Sequence, residues 1–543
     1  MRTLAAGLLF LVAWAAHAAA GQEDPVTALV PKESPIVLRL PSLDRIDALA
    51  NEFQPLIANF MGRGERGRLE RAPVSTLLME EFGFTTELPF VRDRPVYLAL
   101  VEDEPVLYLP AEDGAPAGLR ELLRHRVAIL REGMFCIGKR KEVEAPLRGR
   151  AVALLPGDAT VHVFLSEVVE RHRAEIDAFF KEMEETSDNE RTPRAARAFL
   201  KAALGVSRDA VYGVAAAEYA VTWDGTRLLA EGFVRTQPGS RLRGFFGRAG
   251  APGANDLAAF LPRDPFFIMD TTGTANWISE ELASLLSTFL GPGAGAAAKQ
   301  ILGSGYLPAD HFTGRSASAV TLSGMGGSSQ MVMELKDGAR SRDLLKAFDP
   351  APLNQALKEA DIPFSVEFQP AVAVHEGVEI HELKIKVEDP DLAMLGMMLP
   401  ETLIAVQGSF LAAAQSPTAE TDLEDLLDRI RAGPGKELHP HVEAMGRLGA
   451  ARHFGLTFNL GGIKPLGFVF GMADPAAVQV VAGIPDELYL SSSVAIQEGH
   501  LHWRGDWPLK DLAKIAEAVF VLEREARLER AQPPVRVPVP PAR

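Results

Sequence analysis

The sequence predicts an α+β fold of two similar halves, each with antiparallel sheet and hairpins covered by amphipathic helices, and three observations carry that expectation. The phrase Ala28-Leu29-Val30-Pro31, ahead of the strand-like run Ile36 to Leu40, returns as Ala259-Phe260-Leu261-Pro262 ahead of Phe266 to Met269. Both halves close on alternating apolar runs around an acidic-glycine turn, Asp224-Gly225 in the first and Glu498-Gly499 in the second. Such a dipeptide between alternating runs is a hairpin signal. Hairpins separated by amphipathic helices, rather than strict strand and helix alternation, favour antiparallel sheets with one covered face.

Residues 1–20 read as a cleavable export signal: Arg2, an apolar run from Leu4 to Ala16, then Ala16-His17-Ala18-Ala19-Ala20. The run is shorter than the roughly 20 residues that span a bilayer, and no transmembrane span is predicted after cleavage. The first half, 24–250, opens on the strand Ile36 to Leu40. Ile46, Leu49, Phe53, Leu56, Ile57 and Phe60 then recur at spacings of three and four, which marks an amphipathic helix capped by Ser42 or Asp44. Strands Val96 to Val101 and Val106 to Leu109 precede a helix at Ala117 to Leu123 and strands at Val127 to Leu130 and Met134 to Gly138. The opening phrase recurs as Ala153-Leu154-Leu155-Pro156, followed by helices through Phe180 and from Ala195 to Leu204. The Gly-Ala-Pro run Ala249 to Gly253 marks the boundary.

The second half, 256–530, is read as strand Ser329 to Leu335, helix Ser341 to Phe348, strands Val378 to Val387 and Leu403 to Phe410, and helix Asp422 to Arg431. Arg452 to Phe458 is a further start without its proline. A long helix is expected from Trp507-Pro508 to about Arg530, where proline in the first turn costs nothing. Residues 531–543 read as a disordered proline-rich tail.

A chain of 543 residues exceeds what one hydrophobic core usually organises. The formal net charge of −16 argues against nucleic acid and anionic membrane surfaces as partners. Cys136 is the only cysteine, so no internal disulfide forms. Its Met-Phe-Cys-Ile setting predicts a buried, inert thiol.

No catalytic residue and no cofactor is expected, and the chemistry-bearing residues are few. His500 and His502 alternate in a strand, so both imidazoles share a face and are candidate metal ligands, although a third ligand is missing nearby. His439-Pro440-His441 reads as loop, and His375 and His381 flank a hairpin turn. Asp270-Thr271-Thr272-Gly273-Thr274 approaches the Asp-Thr-Gly of aspartic proteases and the Asp-Lys-Thr-Gly-Thr of cation pumps but matches neither. It is read as a strand end capping a helix at Trp277. Gly291 to Gly295 lacks the Lys-Ser/Thr of a phosphate loop. Met394, Met397 and Met398 form a thioether cluster, suited to copper(I) or, as preferred here, to an adaptable apolar surface for a ligand or partner.

The Leu-Pro starts, the strand-helix phrases and the Asp-Gly hairpin resemble a group of exported bacterial proteins carrying a domain of unknown function. Their sequences often open with a phrase similar to Leu29-Val30-Pro31 or Leu261-Pro262. The resemblance implies export and internal duplication, and it supplies no site residues. The expected function is that of a non-enzymatic envelope protein, periplasmic or secreted, binding or scaffolding a partner at the surface or cleft between its halves. The alternative is a periplasmic carrier of an apolar ligand such as a lipid. A metal-dependent hydrolase comes third and needs His500 and His502 to meet distant carboxylates.

Overall fold

The computed structural model describes residues 29–30, 34–52, 73–83, 88–101, 104–122, 126–144, 155, 157–187, 194–273, 311–323, 326–359, 364–388, 401–467, 475–515 and 518. The strands are β1 (Ile36–Ser42), β2 (Pro95–Val101), β3 (Glu104–Pro110), β4 (Leu119–Glu121), β5 (Arg126–Arg131), β6 (Met134–Lys139), β7 (Ala159–Val163), β8 (Val214–Trp223) and β9 (Leu228–Thr236). They continue as β10 (Phe267–Thr271), β11 (Phe312–Ser323), β12 (Gly326–Leu335), β13 (Phe364–His375), β14 (Val378–Val387), β15 (Thr402–Gln407), β16 (Phe410–Gln415), β17 (Phe454–Asn459), β18 (Tyr489–Gln497) and β19 (His500–Trp507).

These strands join into one nineteen-stranded sheet, antiparallel at every pairing. The partners set the lateral order β4-β5-β6-β3-β2-β1-β7-β8-β9-β19-β18-β17-β10-β11-β12-β16-β15-β14-β13. The expected α+β fold of two halves with separate sheets is therefore corrected to a mainly-sheet architecture, with about 40% strand against 35% helix among the described residues. The reason lies at the seam, where β9 pairs directly with β19 from Leu228–Trp507 to Val234–Leu501. An open strand edge presents a row of unpaired N–H and C=O groups, and joining two such edges satisfies both. Inward from either end, connectivity reads alike: β7 lies between β1 and β8, and β17 lies between β10 and β18.

Three local expectations also change. Ala117 to Leu123 forms no helix in its described part; it holds the short strand β4, paired with β5. Leu403 to Phe410 is two strands, β15 and β16, reversing at Gly408, whose φ of 58° glycine adopts without strain. His439-Pro440-His441 starts the helix Pro440–Leu448 instead of lying in loop. His439 caps it, its Nδ1 accepting from the His441 N–H, while its Nε2 donates to the carbonyl of Pro262 in the repeated phrase. Residues 1–20, 291–295, 394, 397, 398 and 531–543 lie outside the described residues, so the export signal, that glycine run, the Met394, Met397 and Met398 cluster and the tail receive no structural account.

Side-chain alternation fills both faces on each side of the seam. On one face Leu38, Val96, Leu107, Phe135, Ile137, Trp223 and Leu228 pack with Leu43, Ile46 and Leu49 of the helix Leu43–Glu52, and Trp503 and Trp507 join them from β19. The opposite face holds Val37, Tyr97, Val106, Tyr108 and Cys136. Farther along, Ile268, Ala317, Val332 and Ala405 pack under the helix Ala419–Ala432, and Ile404, Val406 and Leu411 pack against Leu345, Leu353 and Leu357. Each large apolar side chain so buried contributes roughly 1.5–3 kcal/mol. Among the described residues no helix is long and apolar enough to cross a membrane.

Candidate functional site

Register decides which side chains meet at the seam. Glu218, Phe233, His502 and Ala495 lie in one row across β8, β9, β19 and β18, with His162 of β7 opposite Glu218. The period of two then places Glu231, Arg235, His500 and Arg504 on the same face. The other face is apolar. Tyr219 stacks on Trp503 with centroids 5.8 Å apart, and Gly232 leaves room for it, since a Cβ there would lie 3.3 Å from the Trp503 ring.

His500 and His502 flank the Phe233 ring at 5.7 and 5.9 Å. His502 Nε2 lies 2.6 Å from Glu231 Oε1, which also accepts from Arg504 Nε at 3.2 Å. The hydrogen bond from His502 outweighs burial and, with Arg504, holds the Glu231 carboxyl below its usual range. His500 Nδ1 accepts from the Thr236 N–H at 3.2 Å, and burial followed by the charges of Arg243 and Arg235 lowers its pKa. The two histidines thus share a face, but only His502 meets the Glu231 carboxylate, while His500 is bonded to the Thr236 backbone. Among the described residues, however, no three His, Cys, Asp or Glu side chains converge to hold a metal. Cys136 is buried, which pushes its thiol up to about 11.

Buried Asp506 on this polar face pairs with Arg227 and Arg447, and two further buried ionic clusters lie on the same face. In the first, Asp270 of β10 accepts from His441 Nε2 at 3.0 Å and from Arg452, through Nε at 2.9 Å and through Nη2. Arg452 also donates to the carbonyls of Asn255 and Ala450. His441 Nδ1 lies 2.7 Å from Thr457 Oγ1, which lies 3.1 Å from Ser491 Oγ. Acid, imidazole and hydroxyl follow in the order of a hydrolytic relay. Yet Asp270, His441 and Ser491 are all fully buried, so no reacting atom is presented to a substrate. The network instead pins the helix Pro440–Leu448 to the sheet. Burial pushes the Asp270 carboxyl up, but the hydrogen bonds from His441 and Arg452 prevail and its pKa falls. The Asp270 carboxylate is thus committed to His441 and Arg452, while the helix expected at Trp277, with Asp or Thr of the motif as its cap, lies outside the described residues.

In the second cluster, His162 and Glu218 are 6% and 4% exposed. Nδ1 of His162 is 3.3 Å from Oε1 of Glu218, and Arg235 Nη2 is 2.9 Å from the same oxygen. Neither contact is aligned as a hydrogen bond, and both ring nitrogens and Oε1 are left without one.

At one end of the seam a cleft of about 540 Å³ opens between the β18–β19 turn, the helix Arg241–Phe246 and the run Ala249, Gly250, Ala251 and Pro252. His453 fastens its base. Its Nδ1 accepts from the Ile496 N–H at 2.9 Å, so the proton sits on Nε2, which donates to Gly250 O at 2.8 Å. Burial lowers the His453 pKa and keeps the ring neutral for this double role. Glu498 and Gly499, with φ of 53° and 78°, form the tight turn that hairpins favour. Gly499 is also a close approach, since a Cβ there would lie 3.0 Å from Cγ of Arg243. The Arg243 guanidinium lines the cleft and, among the described residues, makes no hydrogen bond or ion pair.

Sequence reasoning placed His500 and His502 together but missed Glu231, Arg243 and the Asp270 network. Of the cleft, the Ala249 to Gly253 boundary run and the Glu498-Gly499 turn were visible in the sequence. No protein-family model, no curated protein and no solved structure matches the chain.

Proposed function

We propose that this is an exported, non-enzymatic envelope protein that binds a partner in the cleft at the end of the β9–β19 seam. The observation that carries this reading is Arg243: a cation lining a cleft of about 540 Å³ with its guanidinium unengaged among the described residues. Surface arginines can be idle, but this one lies where segments from both sides of the seam converge, between the helix Arg241–Phe246 and the turn Glu498-Gly499. The volume falls within the roughly 300–1,000 Å³ of ligand sites. The export assignment rests on residues 1–20, and the non-enzymatic one on buried ionic groups that are committed to structure. The apolar carrier needs an enclosed apolar cavity, whereas this open cleft sets the charges of Arg243 and Glu498 beside its apolar residues Phe246, Pro252 and Ile496.

The test is site-specific photo-crosslinking of the full chain in its native envelope, with the probe at Phe246 in the cleft and, as control, at Val374, which is 64% exposed on β13. A discrete adduct from position 246 that is lost with Arg243→Glu is expected. Adducts of equal yield from both positions, or none from 246, would overturn the reading.

A further inference from the structure

Resting on that reading, we infer that the cleft captures a carboxylate-terminated peptide segment, with the carboxylate on Arg243. Three features define the occupant. Arg243 supplies a planar cationic fork whose donors match a carboxylate. The N–H groups of Gly250 and Ala251 have no hydrogen-bond acceptor among the described residues, and they sit in the same lining as Arg243. Backbone donors beside an arginine are the elements used to capture a chain-terminal carboxylate. Phe246, Pro252 and Ile496 supply apolar wall for a neighbouring side chain.

Glu498 narrows the choice further. It lines the cleft and forms no salt bridge among the described residues. A simple anion such as inorganic phosphate would face it unfavourably. A peptide end carrying its carboxylate and, a residue or two away, a basic side chain answers both charges. His453 keeps the two walls in register by bonding Gly250 to Ile496, so the donors are positioned before the ligand arrives. Gly499 lets the Arg243 stem lie against the turn.

The probe is the fluorescein-labelled pentapeptide Gly-Gly-Lys-Val-Leu with a free C-terminus, titrated into the full chain by fluorescence anisotropy. The comparison peptide is identical but C-terminally amidated. We expect amidation to weaken binding at least tenfold, Arg243→Gln to weaken the acid form to the level of the amide, and Glu498→Gln to erase any advantage of Lys over norleucine. Arg243 is half-buried but makes no side-chain hydrogen bond or ion pair among the described residues, and Gln keeps part of its stem against the turn, so Arg243→Gln should retain the wild-type melting temperature. Acid and amide binding equally, or the acid failing to bind at millimolar concentration, overturns the inference. If that occurs while the Phe246 adduct persists, the docking site stands and only the carboxylate chemistry falls. An N-acetylated Lys-Val-Leu that binds as well as the pentapeptide places recognition in the carboxyl end, as for a partner's C-terminus.

Discussion

Asp270 and Glu218 are both carboxylates, both buried, and both on the polar face of the same sheet, yet their surroundings differ. Asp270 has both oxygens engaged, by His441 and by the paired nitrogens of Arg452. Glu218 has His162 and Arg235 close by, but its Oε1 and both His162 nitrogens lack a hydrogen bond. The lesson is that burial depth does not rank buried charges. Removing charge from water costs several kcal/mol, and only complete hydrogen bonding offsets that cost. The Asp270 network is a structural rivet, whereas the His162–Glu218 pair is a position the fold tolerates.

The sharpest way to break this comparison is Asp270→Ala, which strands Arg452 and His441 in the interior. It should cost about 3–5 kcal/mol in urea unfolding; a loss below about 1 kcal/mol would show that the network is not a rivet. The pH dependence follows from the lowered Asp270 pKa. Its contribution is present above the unfolded carboxyl value of about 3.9 and is lost as pH falls through the lower folded value. The wild type's advantage over Asp270→Asn should therefore shrink steadily in acid.

On the other side of the comparison, replacing both members of the incomplete pair, His162→Leu with Glu218→Gln, should leave stability within about 1 kcal/mol of wild type or raise it. A loss as large as that of Asp270→Ala would erase the distinction. The smallest effect belongs to an exposed pairing. His375 on β13 lies 2.9 Å from Asp428 and 3.3 Å from Glu424, both on the helix Ala419–Ala432. The Asp428 hydrogen bond raises the His375 pKa despite some burial. That stabilisation is fully present below about pH 6.5 and disappears as pH rises through the raised folded value. His375→Gln should lower the melting temperature by no more than about 2 °C at pH 6 and leave it unchanged at pH 9.

Much of the local structure could be read directly from residue order. Val378 to Val387, rich in β-branched Val and Ile, is β14, and the reversal at Glu498-Gly499 follows from backbone chemistry. Leu403 to Phe410 was mistaken for one strand because Leu411, Ala412, Ala413 and Ala414 continue the apolar run past Gly408. Sheet assembly lay beyond reach for a different reason. Periodicity reports which face a residue occupies, not which strand lies beside it, and β9 and β19 are distant in the chain. The same limit hid the site: His500 and His502 are two residues apart, but Glu231 stands 271 residues before His502, and Asp270 stands 171 before His441. Arg243 carried no signal, since nothing in its neighbours shows that its guanidinium would remain unengaged.

The β9–β19 seam also sets a timetable. Synthesis runs from the N-terminus at roughly 5–20 residues per second, so the 271 residues between Glu231 and His502 take on the order of tens of seconds to appear. Throughout that interval β9 has no β19 to pair with, and its outer row of backbone groups is a template for any passing strand. Its own sequence offers a guard, because Glu231 and Arg235 place opposite charges along that waiting edge. The nascent chain is thus most vulnerable to wrong partners midway through its production, and a holdase that recognises unpaired strand edges would have its greatest effect in that window.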